Sequence, residues 1–424
     1  METEYSNILD DFDPIKMTAA VGEFLYQGKI DTSFAMLNEV VALGLLPEKN
    51  RRVTNGRMRI KSVAKHIACV EKISQNEPSL EKITAKVFIP GEPRLMPRHL
   101  SADMPAGQYE SSALSSLARN QVNLSEHCAV EDLPLLKKFG FERQLNELQT
   151  DRLFVGKNCR FSYLADDAMT ALIDEEYVIP ALSGRVAKST SIGIYKKTDH
   201  ILGEALVLPF PHKVGNFYHA LSEMVYGLRY ARNLSSDIPI IHGEDKFKLL
   251  PVICKLIGID EQRLIQVSEC ASLKVSTAYM PSTPSFYWNT PFVQFFRKAA
   301  LRNLKPDIGQ SRIYISRSRS ARSTPGEADF ELYLQKIGYK IIHAQDLTFE
   351  GQIKLFMGAT KIIAPHGAGL TNMVFCRDEV RIVEVFSSNM LQPDFYQRSK
   401  FVNKDYQCVI IDDYNQRNKL ADYI

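Results

Sequence analysis

Lys361-Ile-Ile-Ala364 runs directly into Pro365-His366-Gly367-Ala368-Gly369-Leu370-Thr371-Asn372, and Leu370 to Phe375 is apolar again. A short apolar run, a glycine-rich turn and a helical run make a strand-turn-helix unit, the element from which parallel α/β sheets are built. Gly367 and Gly369 carry no Cβ, so the backbone can turn tightly and a bulky anion can approach. The helix beyond aims its first N–H groups and its positive dipole end at the same point. The pattern is that of a phosphate cradle; it is also that of a plain tight turn in which His366 is satisfied by hydrogen bonds.

On either side the alternation continues. A strand is predicted at Arg312 to Ile315, then a helix at Ala328 to Gly338, a strand at Lys340 to His343 and a helix at Glu350 to Met357. The strand at Lys361, a helix near Thr371 and a strand at Arg381 to Phe386 complete a doubly wound pattern. Earlier, short apolar runs at Arg152, Glu176, Ser191 and Glu204 read as strands. Helices at Phe217 to Tyr230 and Lys246 to Leu256 then alternate with strands at Ile238 to Ile241 and Leu264 to Val267. The stretch from Met280 to Pro291, with Pro281, Pro284, Pro291 and the only tryptophan, Trp288, separates the two alternating regions. At the N-terminal side, Val21, Phe24, Phe34, Leu37 and Val41 recur at helical spacing and predict a helical hairpin, followed by a proline-rich boundary from Val87 to Pro105. The expected organisation is a helical extension over 1–105, a Rossmann-like domain over 106–285 and a second over 286–424, with a ligand cleft between the last two.

A chain of 424 residues, 45% hydrophobic and 24% charged, with 22 Gly and 20 Pro, excludes collagen, coiled coil and disorder. Its 52 basic and 49 acidic residues leave a net charge of +3, too little to imply a nucleic-acid partner. The seven cysteines are scattered without a CxxC pair, as expected for reduced thiols rather than a metal or disulfide framework. The first fourteen residues lack a basic n-region and an apolar core, so no secretory signal is expected. The sequons at Asn123 and Asn233 matter only in a secreted chain. A cytoplasmic location follows as an expectation.

Positive charge is nevertheless local: eight Arg and Lys stand between Arg297 and Arg322 against one acid, Asp307. Ser316, Arg317 and Arg322 follow the strand that ends at Ile315, and ligands of open α/β sheets sit at the carboxyl ends of strands. A guanidinium fork suits phosphate oxygens. A solvated basic face is the other reading of such a run. A second constellation, Asn216-Phe-Tyr-His219-Ala-Leu-Ser-Glu223, places Asn216, His219 and Glu223 on one helical face. His219 can act there as a general base with Glu223 orienting it, or Asn216 is a helix cap and His219 a satisfied core residue. Glu384, inside the apolar strand Ile382 to Phe386, needs a partner: a salt bridge, or the hydroxyls of a ribose.

Taken together, RIYISRSRSAR, Gly326-Glu327, Gln352 in EGQIKLF, APHGAGLTNMVF, VEVF and the earlier GNFYHALSE resemble glycosyltransferase family 61 over roughly residues 150 to 390. Gly326 stands where that family often has Asn, and Glu327 is read as structural. The resemblance implies a GT-B architecture, with two Rossmann-like domains facing across a cleft, and an inverting transferase that needs no bound metal or other cofactor. Arg317, Arg322, Ser316, His366 and the segment Gly367, Ala368, Gly369, Leu370, Thr371 and Asn372 are then expected to hold the donor diphosphate, with Asn216 nearby and Glu384 on ribose. His219 and Glu223 are the expected catalytic pair. The implied partners are a nucleotide-sugar, a UDP-sugar being one candidate, and a saccharide or glycolipid acceptor. Polysaccharide or glycolipid synthesis at the inner face of a membrane, with peripheral association, follows by analogy. Rival readings are another nucleotide-sugar enzyme on the same architecture, an epimerase or phosphorylase, and a binding protein without turnover.

Overall fold

Arg312–Ile315 (β1), Lys340–Ile342 (β2), Lys361–Pro365 (β3), Arg381–Phe386 (β4) and Tyr406–Ile410 (β5) form a parallel sheet of five strands in the order β2-β1-β3-β4-β5. In this computed structural model the described residues are 124–141, 153–165, 200–209, 215–267, 272–281, 288, 290–309, 311–320, 323–402 and 405–424, most of 5–61, and the short pieces 80–84, 86–87, 101–102, 168–173, 177–178 and 191–195. The chain divides into one unit of Met1–Leu100, Val155–Ala205 and Gln266–Ala278, and another of Ser101–Phe154, Leu206–Ile265 and Tyr279–Ile424.

In the first unit, Tyr5, Met17, Val21, Phe24, Met36, Leu37, Val40 and Ile60 pack a small core of their own around the helix Ile30–Ala42. Strand Leu80–Thr84 pairs antiparallel with Ser191–Tyr195, and Ala168–Ile173 runs antiparallel to both Leu153–Ala165 and Tyr177–Val178. The last three strands are a meander, because short connections join antiparallel neighbours whereas parallel ones need a crossover. Residues 88–100, most of the proline-rich boundary, lie outside the described residues.

The second unit carries the doubly wound sheet. Helices Glu327–Lys336 (α1), Phe349–Gly358 (α2) and Asp394–Val402 (α3) alternate with its strands. Each strand is apolar on both faces, as parallel strands covered by helices must be. Ile313, Ile315, Ile362, Ala364, Ile382 and Phe386 point to one side, and Tyr314, Ile363, Val383, Val385 and Val409 to the other. The period of two along β4 puts Glu384 between Ile382 and Phe386 on the first side, within the hydrophobic core.

The expected boundary at residue 285 lies inside this unit. Trp288, read from its prolines as part of a linker, is completely buried and stacks on Phe292 at 5.0 Å. Phe292 in turn meets Tyr226 and Phe296 at 4.7 and 4.9 Å, tying helix Thr290–Asn303 to the segment Val225–Asn233. Such ring pairs contribute about 0.5–1.5 kcal/mol each beyond the area they bury. Leu206 and Val207 pair parallel with Ile240 and Ile241, a second parallel element of the same unit.

His242, at the end of that element, is 5% exposed and donates from Nδ1 to the Gly243 carbonyl at 2.6 Å. Burial pushes its pKa below the ordinary 6.5. An unfolded chain takes up this proton as pH falls through about 6.5, before the folded one does, so stability should drop with falling pH in that window, by up to about 1.4 kcal/mol per pH unit. Urea midpoints compared at about pH 7.5 and about pH 5.5 should fall less for His242→Asn than for the wild type. An equal drop in both would assign the effect elsewhere.

Candidate active site

With strand order β2-β1-β3-β4-β5, the chain reverses its winding direction between β1 and β3, and the loops leaving their carboxyl ends face each other there. The β1 loop begins with Ser316 and Arg317, and the β3 loop with His366 and Gly367. The two loops are joined directly, because Nη1 of Arg317 donates to the His366 carbonyl. A Cβ built on Gly367 would lie 2.8, 2.9 and 3.1 Å from three guanidinium atoms of Arg317. Gly367 is therefore required for the approach of Arg317, while its own backbone is extended. Gly369 has a similar role, since its Cβ would lie 3.2 Å from Ile315 Cγ2.

The Arg317 loop is fixed from below by Glu327, which is 2% exposed and accepts from the Arg317 backbone N–H at 2.7 Å and the Tyr314 hydroxyl at 2.9 Å. Its neighbour Gly326 has φ +76°, the left-handed region that Gly and Asn reach most easily, and a Cβ there would lie 3.0 Å from Asp413 Oδ1. The structural reading of Glu327 thus acquires a definite content: it holds the backbone of the loop that presents Arg317. Ser316 is less available than expected, being 6% exposed with its hydroxyl on Glu331 and Ser318. Arg322 lies outside the described residues.

Three other arginines of the run have been put to structural use. Arg297 pairs with Asp378 and donates to the Val402 carbonyl at 2.7 Å. Arg319 meets Asp346 at 2.8 Å, and Arg312 lies over the Tyr339 ring. Arg317, in contrast, is bonded to the β3 loop at the switch point.

Beyond Gly367, residues Ala368–Phe375 form a 3-10 helix rather than an α-helix. Gly367, Ala368 and Gly369 keep partial exposure, whereas Leu370, Thr371 and Asn372 are completely buried. The side chains of these last three were expected on a donor; all three are enclosed, and that of Asn372 secures the loop. Asn372 Nδ2 donates to Gln352 Oε1 at 2.8 Å, and Gln352 Nε2 donates to the Ala344 carbonyl at 2.9 Å. This chain of bonds ties the glycine segment to α2 and explains why Gln352 and Asn372 belong to one pattern.

His366 is 8% exposed, with Nδ1 2.7 Å from Glu384 Oε1 and Nε2 3.2 Å from Gln392 Oε1. Its ring stacks on Phe386 at 5.3 Å. Glu384 is fully buried, and its second oxygen accepts from the Tyr406 hydroxyl at 2.8 Å. Burial pushes the Glu384 carboxyl above its ordinary range, partly opposed by the bonds from His366 and Tyr406. The ribose contact expected of Glu384 is corrected accordingly: with both oxygens engaged inside the core, it meets the other reading, a partner for a basic side chain.

The earlier constellation comes together in the same unit. Asn216 Oδ1 accepts from the Tyr218 N–H at 2.9 Å, so Asn216 is the cap of a one-turn α-helix, Phe217–His219, rather than a ligand contact. The expected single helix to Tyr230 is three segments: this turn, a π-helical stretch Ala220–Met224 and a 3-10 stretch Val225–Asn233. Single π turns inside helices are frequent at functional sites. His219 Nδ1 lies 2.6 Å from Glu223 Oε1, their side chains 11% and 18% exposed. Glu223 accepts the Nδ1 proton, which leaves the lone pair at Nε2, the arrangement of an oriented general base.

The two His–Glu pairs share neighbours. Phe395 of α3 meets Tyr218 at 6.0 Å and His366 at 5.8 Å. The turn Phe217–His219 also packs against Ala368–Phe375, the helix that follows the glycine segment. Sequence blocks nearly 150 positions apart thus converge around one aromatic ring. Among the described residues, no three His, Cys, Asp or Glu side chains cluster as metal ligands.

Residues 210–383 match the model of the Glycosyltransferase 61 family. The chain is similar to glycosyltransferase family 61 over that stretch, which is less than half of its length. It is a glycosyltransferase, and the matched stretch contains His219, Glu223, Arg317 and His366. Among solved structures it is similar to the iron-containing dodecameric glycosyltransferase TibC from enterotoxigenic E. coli, at 10% identity over 56% of this chain and 75% of that one, with a TM-score of 0.21. A superposition that loose establishes no common architecture. No curated protein sequence matches the chain significantly. Glu384, Gln392, Arg398 and Tyr406 all lie past the end of the family match, and the last three were not singled out in the sequence. Tyr406 belongs to a strand, YQCVI, whose alternation was a usable signal; for Gln392 and Arg398 the sequence holds none.

Proposed function

We propose that this glycosyltransferase moves a sugar from a nucleotide-sugar to a hydroxyl acceptor by one displacement with inversion at the anomeric carbon. The observation that carries the reading is the Arg317 guanidinium, locked on the His366–Gly367 backbone at the switch point of a doubly wound sheet. Arg317 and the N–H groups around Ala368 and Gly369 bind the donor diphosphate there. His219 Nε2 removes the acceptor hydroxyl proton, and Glu223 stabilises the imidazolium that results. The acceptor oxygen forms its bond to the anomeric carbon as the bond from that carbon to the diphosphate breaks. The diphosphate leaves with the electron pair, and fixed positive groups receive its charge without a bound cation. In this reading the architecture is of the GT-B kind, UDP-sugars are the first donors to try, and saccharides or glycolipids, including those at a membrane surface, are the acceptor class.

Calorimetric titration with UDP, GDP and ADP tests the donor side. Arg317→Ala should weaken the preferred diphosphate about 10- to 100-fold, the loss of one charge-assisted hydrogen-bonding group. Gly367→Ala should do nearly the same while leaving the urea midpoint unchanged, because its Cβ displaces only the far end of a flexible side chain. Combined, the two substitutions should cost no more than Arg317→Ala alone, since the clash disappears with the guanidinium. Unaltered diphosphate affinity in Arg317→Ala would place the donor elsewhere.

A further inference from the structure

Arg398 of α3 is 2% exposed, and its Nε donates to the Tyr218 hydroxyl at 3.0 Å. The guanidinium also lies 4.3 Å from the centroid of the Tyr218 ring, and Nη1 is 3.7 Å from Asp394 Oδ1 one turn earlier on the same helix. Tyr218 is thus held at both hydroxyl and ring face by one buried cation. Its far surroundings are rigid as well: it stacks on the buried Trp288 at 6.4 Å and meets Phe395 edge-on at 6.0 Å.

Tyr218 immediately precedes His219, whose ring meets it at 5.2 Å. The two lie in a helix of three residues. It runs on without a break into the π-helical stretch Ala220–Met224, so the spacing of the backbone bonds changes just after His219. The orientation of His219 is set by what holds this irregular turn: the Asn216 cap at its start, the clamp on Tyr218 in its middle and the bond from His219 to Glu223. A buried guanidinium is an expensive way to fill space, and apolar residues of similar volume commonly do that as well or better. Arg398 does something an apolar residue does not: it fixes a hydroxyl position and a ring plane together.

We propose that Arg398, through Tyr218, is a positioning residue for the His219–Glu223 pair. The proposal rests on the reading of His219 as the general base. It gives α3, which lies beyond the family match, a role in the chemical step rather than in donor binding.

The test is a double-mutant cycle on nucleoside diphosphate release from whichever of a panel of UDP-, GDP- and ADP-sugars the wild type turns over fastest. Tyr218→Phe removes one oxygen from a packed ring and keeps its volume. It should lower kcat about tenfold, the scale of one hydrogen bond to a charged partner, with the donor KM within about twofold of wild type. Arg398→Lys keeps the charge but loses the planar fork, and should fall as low as Tyr218→Phe. In a His219→Ala background, Tyr218→Phe should change kcat by less than about twofold, because the residue it positions is gone. The proposal is overturned if Tyr218→Phe costs the same factor in both backgrounds, if the loss falls on KM, or if kcat does not change. Should His219→Ala itself leave kcat intact, the base assignment fails first and takes the clamp with it, an outcome distinct from an additive cycle.

Discussion

His366→Ala is expected to cost about 3–5 kcal/mol of folding stability, the scale on which breaking one partner out of a buried ionisable pair is felt. Glu384 is completely enclosed, and the substitution leaves its carboxyl with the Tyr406 hydroxyl as its remaining hydrogen-bond partner of those described above. The ring itself is also part of the core, stacked on Phe386 and touching Phe395, so a cavity is added to the lost bond. Urea unfolding monitored by fluorescence of the single tryptophan, Trp288, reads the unit concerned, because that residue is buried in the same hydrophobic core as Phe386 and Phe395. The charge contribution can be isolated. Adding Glu384→Leu and Tyr406→Phe to His366→Ala removes the stranded carboxyl together with its remaining donor, and should recover part of the loss. If the triple variant is no more stable than His366→Ala, the carboxyl was not the source of the destabilisation, and the burial of Glu384 would have to be explained by packing alone.

This result bears on how the glycine segment should be read. On the sequence, His366 followed by Gly-Ala-Gly suggested side chains and backbone converging on an anion. In the structure the ring of His366 turns inward to Glu384, and its carbonyl accepts from Arg317. The histidine sets the height of the loop, the glycines admit the arginine, and the partly exposed residues of the segment are Gly367 to Gly369.

What could be read from the chain follows the strength of its periodicities. β1, β3 and β4 were foreseen nearly to the residue, as were α1 and α2, because their apolar residues alternate or recur over whole elements with turn residues on both sides. α3 and β5 were not foreseen. In α3 the buried positions include Gln397, Arg398 and Ser399, so its inward face does not read as apolar. The segmentation of 217–233 was invisible for a different reason: a change from i→i+4 to i→i+5 bonding alters the direction of side chains without altering composition. Proline content misled at Trp288, where a residue read as part of a linker turned out to be among the largest fully buried side chains. At the site, residue types did not announce the division of labour within the loops: Arg317 is bonded to the His366 carbonyl and His219 to Glu223, while Glu384 and Asn372 are engaged by neighbours that no local pattern announces.

The step with most at stake is the base. His219→Ala should lower kcat by about 10²–10⁴, the usual contribution of a positioned general base, while the affinity for a nucleoside diphosphate remains that of the wild type. The separation is expected because His219 is held by Glu223 on its own helical segment, whereas Arg317 is held by the His366 carbonyl and Glu327. Glu223→Gln supplies a finer reading. The amide can still accept the Nδ1 proton, so the ring keeps its tautomer and direction, but no negative charge faces the imidazolium as it forms. Its kcat should therefore fall between wild type and His219→Ala, since the imidazolium that forms in the chemical step has lost its stabilising partner. If instead Glu223→Gln is as inactive as His219→Ala and the diphosphate still binds, the carboxylate itself takes the proton and His219 is the residue that orients it. If both variants turn over at the wild-type rate, neither is the base, and the pair is a helix-stabilising contact whose partial exposure has no chemical consequence.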